Sequence, residues 1–249
     1  MKYLKSYKLF ESIDSEVNFD NFNIISSEVK EGILYNDKSK WLEIVDVLST
    51  ECSEFIGLLK KWNIEGIYRG QKMREDGNIT DGFWKFTPRV DRTPRDTKSE
   101  ISRLLDEGLK KKFGIPLRSN GVFASKDISI ADDYGNQFFG DESASFDPLY
   151  SGFRPQAATF LFFPKNGFRY FWNPKINDLY TELRDNRSWY NKEPFSWKSS
   201  EQKDFQEIID GYQEGEIEKI KRQEITFICD EYYLLDEDYF DQFIDYFIR

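Results

Sequence analysis

Across residues 40–62 (KWLEIVDVLSTECSEFIGLLKKW) apolar side chains recur at intervals of three to four, which lines one face of an α-helix, and Asn63 supplies a stop. The same periodicity predicts a helix over residues 98–113, where Thr97 and Glu100 stand at capping-box spacing. It predicts a short helix in DISIADDYG (127–135), a longer one over 202–221 broken at Gly211 or Gly215, and an aromatic-faced helix over 237–249. Strand signals fall at IEGIYRGQ (64–71), GVFAS (121–125) and ATFLFFP (158–164). FRYFW (168–172) follows ATFLFFP across Lys165, Asn166 and Gly167, which predicts a hairpin. EITFICDEYYLL (224–235) reads as the strongest single strand in the chain. Breaker-rich stretches at 73–82, 87–97, 139–157 and 184–200 read as loops, the third as a flap facing an acceptor. Residues 1–40 form an N-terminal arm and 41–249 one domain. Helices and short strands are mixed without regular βα alternation, so the expected class is α+β.

Composition narrows the chemistry. The core is aromatic-rich, with 23 Phe and 14 Tyr, which argues against a disordered chain despite a net charge of −10. That acidic balance disfavours nucleic-acid partners and anionic membranes, because phosphate is repelled in the absence of a local basic patch. The run Lys110-Lys111-Lys112 reads as a solvated helix end. Histidine is absent, which removes Ser-His-Asp triads, Cys-His pairs and histidine-containing zinc sites, and no metal is expected. Acid and base work must fall to Asp, Glu, Lys, Tyr or Cys. Cys52 and Cys229 lie in apolar stretches and read as reduced, buried thiols. No run approaches transmembrane length and the start lacks a signal-peptide core, so a soluble, unexported protein is expected.

Three polar residues stand at the edges of three separate strand candidates: Arg69 in GIYRGQ, Ser125 in GVFAS and Glu224 in RQEITFIC. A guanidinium grips phosphate through its planar fork. A carboxylate can hold a ribose hydroxyl and stabilise an oxocarbenium-like sugar. A serine can fix that carboxylate. Each also has a structural reading: a paired edge arginine, an N-cap serine and a solvated strand start.

In that order the set resembles the R-S-E class of ADP-ribosyltransferases, most closely the phage ADP-ribosyltransferase-like proteins also found in phage polyvalent proteins. The resemblance spans roughly residues 64–235 and rests on RTPRDT, KKFGIPLRSNGVFAS, ADDYG, FPKNGFRYFWNPKINDLY and EITFICDEYYLL. It implies an ADP-ribosyltransferase fold, a split pair of small, mostly antiparallel sheets with flanking helices and NAD between them as substrate. It implies that Arg69 grips the NAD phosphates, that Gly70 lets backbone approach the nicotinamide amide, and that Ser125 opens an incomplete Ser-Thr-Ser motif. Phe123 and Tyr134 become candidates to pack on the nicotinamide ring, and Glu224 takes the catalytic place. Two departures stand out. Lys126 and Asp127 replace the rest of the serine motif, and Arg222 stands where arginine-directed members carry Glu or Gln. Glu231, before Tyr232 and Tyr233, is a rival catalytic carboxylate.

The implied activity is mono-ADP-ribosylation of a host bacterial protein in the host cytoplasm. The opening MKYLKSYKLFES resembles starts of phage proteins packaged into heads, so phage head proteins are further candidate partners. Two alternatives remain: an inert virion or interaction protein of the same fold, and a nucleic-acid-directed transferase, kept open by Arg89, Arg92 and Arg95. Those three arginines read equally as a phosphate-reading loop and as a salt-bridge cluster, and Arg118 reads either way.

Overall fold

The computed structural model describes residues 38–72, 78–80, 82–90, 92, 97–136 and 157–249. The N-terminal arm before residue 38, most of the 139–157 flap and Arg95 lie outside the described residues. Residues 40–249 form one compact unit.

The architecture is α+β, with two small antiparallel sheets and flanking helices. The first helical stretch is two helices, α1 (Lys38–Glu51) and α2 (Ser53–Trp62). The break is at Cys52, whose backbone leaves helical geometry at φ −123°, although Cys52 N–H still bonds the Leu48 carbonyl at 3.1 Å. Asn63 ends α2 in the left-handed conformation at φ 50°, as its sequence position suggests. Then come β1 (Tyr68–Lys72), β2 (Asn78–Thr80), β3 (Phe83–Phe86), α3 (Ser99–Phe113), α4 (Leu117–Asn120), β4 (Val122–Ala124) and α5 (Ile128–Asn136). The C-terminal half holds β5 (Ala157–Pro164), β6 (Arg169–Trp172), α6 (Leu179–Asn186), α7 (Ser199–Gly211), β7 (Gln213–Glu214), β8 (Ile225–Ile228) and β9 (Tyr232–Leu235). It closes through α8 (Phe240–Phe243) and a π-helical turn, Ile244–Ile248. One sheet runs β1-β5-β9-β3-β2, the other β4-β8-β6-β7.

Several local expectations change. The stretch 224–235 is not one strand: β8 belongs to the small sheet and β9 to the large one, and residues 229–231 cross between them. β5 and β6 are likewise not a hairpin, since β5 pairs with β1 and β9 while β6 pairs with β8 and β7. The cause lies in the turn. Its backbone donors go elsewhere: Lys165 N–H to the Glu231 carbonyl at 3.0 Å, Asn166 N–H to the Glu51 carbonyl at 2.7 Å, and Gly167 N–H to the Glu54 carboxylate at 2.8 Å. The two crossings therefore run side by side and split the β structure into two sheets. α3 starts one residue later than the spacing predicts, with Lys98 and not Thr97 in the N-cap position, and its firm end is Gly114 in the left-handed region. Lys110, Lys111 and Lys112 are exposed in the last turn of α3, as expected, and Lys112 also bonds the neighbouring helix end. Its Nζ donates to the carbonyls of Asp210 and Tyr212, each at 2.6 Å, where the end of α7 favours a cation.

The aromatic residues supply the core. Phe227 of β8 is fully buried and meets Phe162 of β5 at 4.9 Å between ring centroids, with Phe55, Phe168 and Tyr170 at 5.8–6.1 Å. This contact joins the sheets and belongs to one core with α1, α2 and the C-terminal helices. A second core, built on Trp189, Trp197, Phe205, Phe171 and the apolar face of α3, packs on the other side of the small sheet. Among the described residues no helix is long and apolar enough to cross a membrane.

Candidate active site

Strands β1, β4 and β8 carry or adjoin the three singled-out residues, and the structure brings these strands together. β4 and β8 pair antiparallel as Val122↔Phe227, Phe123↔Thr226 and Ala124↔Ile225. The pairing ends at Ala124↔Ile225, and Ser125 and Glu224 are the next residues on the two strands. On its other edge Ser125 exchanges both backbone hydrogen bonds with Tyr68, at 2.7 and 2.9 Å, so the chain next to Arg69 bridges the two sheets there. The strand delivers Ser125 to this junction because the backbone pairing continues through it while the helix begins just beyond.

Strand alternation sorts the side chains. Val122, Ala124, Ile225 and Phe227 face the first core. Phe123, Ser125, Glu224 and Thr226 lie on the opposite face, toward α3 and α4. Ser125 is fully buried and its Oγ accepts from Asp127 N–H at 3.1 Å, tying the strand end to the start of α5. Ser125 is not the N-cap expected from its sequence position: Asp127 is, its Oδ1 accepting from Ser129 N–H at 3.0 Å. Glu224 is 8% exposed, and its backbone N–H bonds the Asn177 carbonyl at 2.7 Å. Its Oε1 receives a hydrogen bond from Arg118 Nη1 at 2.6 Å, an ion pair with both partners more than nine-tenths buried.

Arg69 takes a different place. Its Nη1 donates to the Phe123 carbonyl at 2.5 Å and its Nε to Gln71 Oε1 at 2.8 Å, while its guanidinium lies 5.6 Å from the Tyr232 ring centroid. It thus reaches the edge of β4 from the large sheet, and Gly70 beside it pairs with Thr159 of β5. Ser125 and Glu224 share a face; Arg69 joins them only through Phe123. The Phe123 ring carries two guanidinium groups, Arg92 and Arg118, each 4.2 Å from its centroid. Of the three-arginine loop, Arg89 is exposed and Arg92 is packed here, its N–H bonded to the Ser119 carbonyl at 3.2 Å. The side chain of Tyr134 lies outside the described residues, though its backbone belongs to α5.

Glu231 is remote in kind. It stands at the crossing between β8 and β9, 2.7 Å from both Lys85 and Lys165, and Lys165 also pairs with Glu51 at 2.8 Å. The hydrogen bonds from these two lysines hold its carboxyl below the usual range. It serves a surface ion network where the chain changes sheets. Arg222 extends over the strand ends, 64% exposed, with its Nε 2.7 Å from Asp127. Asp127 is held low by hydrogen bonds from Ser129 and by Arg222 beside it.

Protein-family models, curated proteins and solved structures give no match to this chain. The site therefore stands on its own geometry. Sequence reasoning left Arg118 open and did not single out Tyr212 or Asn177. Tyr212 is 4% exposed; burial raises its phenol well above the ordinary value, while its hydrogen bond with Arg118 acts in the opposite direction. A tyrosine after a helix and an asparagine in a loop carry no local signal for this role. A cavity of about 340 Å³ lies along α3, lined by Arg92, Ser102, Arg103, Asp106, Lys110 and Ser119 among others, and none of Arg69, Arg118, Ser125 and Glu224 lines it.

Proposed function

We propose that this chain is a mono-ADP-ribosyltransferase of the R-S-E class, with an ADP-ribosyltransferase fold, NAD as substrate and a host bacterial protein as acceptor. The observation that supports this reading is that β4 and β8 pair as far as Ala124↔Ile225, with Ser125 and Glu224 the next residue on each strand, beside the Tyr68–Ser125 bridge next to Arg69. In this reading the glycosidic bond between the nicotinamide nitrogen and the ribose anomeric carbon breaks, and its electron pair leaves on nicotinamide. Glu224 stabilises the cationic sugar, and an acceptor nucleophile attacks the anomeric carbon and loses its proton. Arg222, paired with Asp127, stands where arginine-directed members carry Glu or Gln, so arginine is not the default acceptor. The reaction would take place in the host cytoplasm, by a protein carried in the virion or made after infection.

A second reading has its own observation. The Glu224 carboxylate is buried against Arg118, which suits an inert protein of this fold that works by interaction with head or host proteins. The experiment is nicotinamide release from NAD by the purified chain, with and without bacterial lysate, compared with Glu224→Gln. Release by wild type and its loss in Glu224→Gln support the transferase. No release and no NAD binding in either condition refute it in favour of the inert protein.

A further inference from the structure

Arg118 is held from several sides. Its backbone N–H donates to Asp106 Oδ1 at 2.6 Å, and Ser119 N–H donates to Oδ2 of the same carboxylate at 3.1 Å, which pins the start of α4 to α3. Its guanidinium lies on Phe123, the neighbour of Ser125 on that face, and shares a hydrogen bond with Tyr212. What remains of it is directed at Glu224 Oε1. Burying two charges costs several kcal/mol per ion, and well-packed apolar residues often replace such pairs without loss. Stability alone therefore gives little reason for this pair.

A carboxyl group as buried as Glu224 tends toward its neutral form, because burial disfavours charge. A neutral acid would be a poor stabiliser of a cationic sugar. We infer that Arg118 is a positioning residue, whose guanidinium keeps the Glu224 carboxylate ionised and fixed where β8 begins. The inference rests on the transferase reading for its catalytic meaning, but the ionisation it describes is measurable without turnover. Among the described residues, charged and titratable groups nearby include Tyr212 after α7 and Asp178 before α6, Arg92 on the same Phe123 ring as Arg118, and the Arg222–Asp127 pair. Arg118 is in direct contact with the carboxylate, at 2.6 Å.

The test is a carbon-13 NMR titration of the full chain with labelled glutamate carboxyls, with the Glu224 resonance assigned by its loss in Glu224→Gln. Wild type is compared with Arg118→Met and Arg118→Lys. Arg118→Met should raise the Glu224 midpoint by at least about one pH unit, a tenfold change in protonation, and Arg118→Lys should restore most of it. An unchanged midpoint in folded Arg118→Met overturns the inference. Arg118→Lys, which keeps the charge, serves as the decisive variant if Arg118→Met does not fold; a neutral Glu224 in that variant near neutral pH also overturns it. In the nicotinamide-release assay, Arg118→Met should lower kcat, leave KM for NAD nearly unchanged, and move the acid limb of the pH profile upward with the NMR midpoint. A raised KM with unchanged kcat would make Arg118 a substrate contact and overturn the positioning role. A shifted midpoint in a protein that never cleaves NAD would sustain the ionisation and refute the transferase reading, so the two failures are distinguishable.

Discussion

Gly121 links the helix that carries Arg118 to the strand that carries Ser125, and replacing it with alanine tests how firmly that link is set. A Cβ at Gly121 would stand 2.2 Å from Thr226 Cγ2 and 2.4 Å from the Leu117 carbonyl oxygen. Carbon atoms in contact settle at about 3.5–4.0 Å, so relief requires a movement on the order of 1 Å. Neither neighbour can turn away cheaply. Thr226 is 1% exposed, and the Leu117 carbonyl already accepts the Gly121 N–H at 2.9 Å to close α4. Overpacking of this kind costs about 1–3 kcal/mol. If α4 shifts outward by that amount, Arg118 leaves hydrogen-bond range of Glu224, and a charge-assisted bond worth about 1.5–3 kcal/mol is weakened. The two effects share one movement and are not fully additive, so the expected loss is about 3 kcal/mol. In urea unfolding at an m-value of about 2 kcal/mol/M, the midpoint falls by about 1.5 M. Gly57 in α2 is the internal control, since a Cβ there meets nothing within 4 Å. Gly57→Ala should stabilise by about 0.5–1 kcal/mol, the helix preference of alanine over glycine. A Gly121→Ala midpoint within about 0.5 M of wild type would refute the close packing of α4 against β8.

Phe227→Ala should cost about 3–5 kcal/mol, because it empties a fully buried site between the sheets, whereas Phe195→Ala, at 88% exposure, should stay within about 0.5 kcal/mol by the same urea assay. Glu231 titrates in the folded state below its unfolded value, so its stabilisation is complete above the unfolded value and is lost as pH falls through the folded one. The melting-temperature gap between wild type and Glu231→Gln should accordingly shrink on acidification; a constant gap would contradict the lysine pairing. Burial raises both thiols, Cys229 to about 12 and Cys52 further, so native protein should react slowly with a thiol-specific disulfide reagent and denatured protein quickly. Cys52 is fully buried but Cys229 only partly, against the expectation that both are buried, so rapid native labelling of Cys52 would contradict its packing.

Local pattern carried much of the secondary structure. The three-to-four spacing in 98–113 and the short apolar run at 121–125 each correspond to an element, the spacing in 40–62 to two helices ended by Asn63, because helix and strand signals are written in adjacent residues. The α+β class followed from the order of those elements. What local pattern could not reveal is where a continuous apolar run changes sheets. ITFI and YYLL have the same strand preference, and only the donors taken by Glu51, Glu54 and Glu231 at the neighbouring turn show that the two part company. The candidate site divides in the same way. Ser125 and Glu224 were legible as polar ends of apolar strands, and the β4–β8 pairing runs up to the residues beside them. Arg69 was legible as well, but its guanidinium is spent on the Phe123 carbonyl. The partner that actually holds Glu224 is Arg118, 106 residues away in sequence. Such a pairing depends on how α4 packs against β8, and only the tertiary structure decides it.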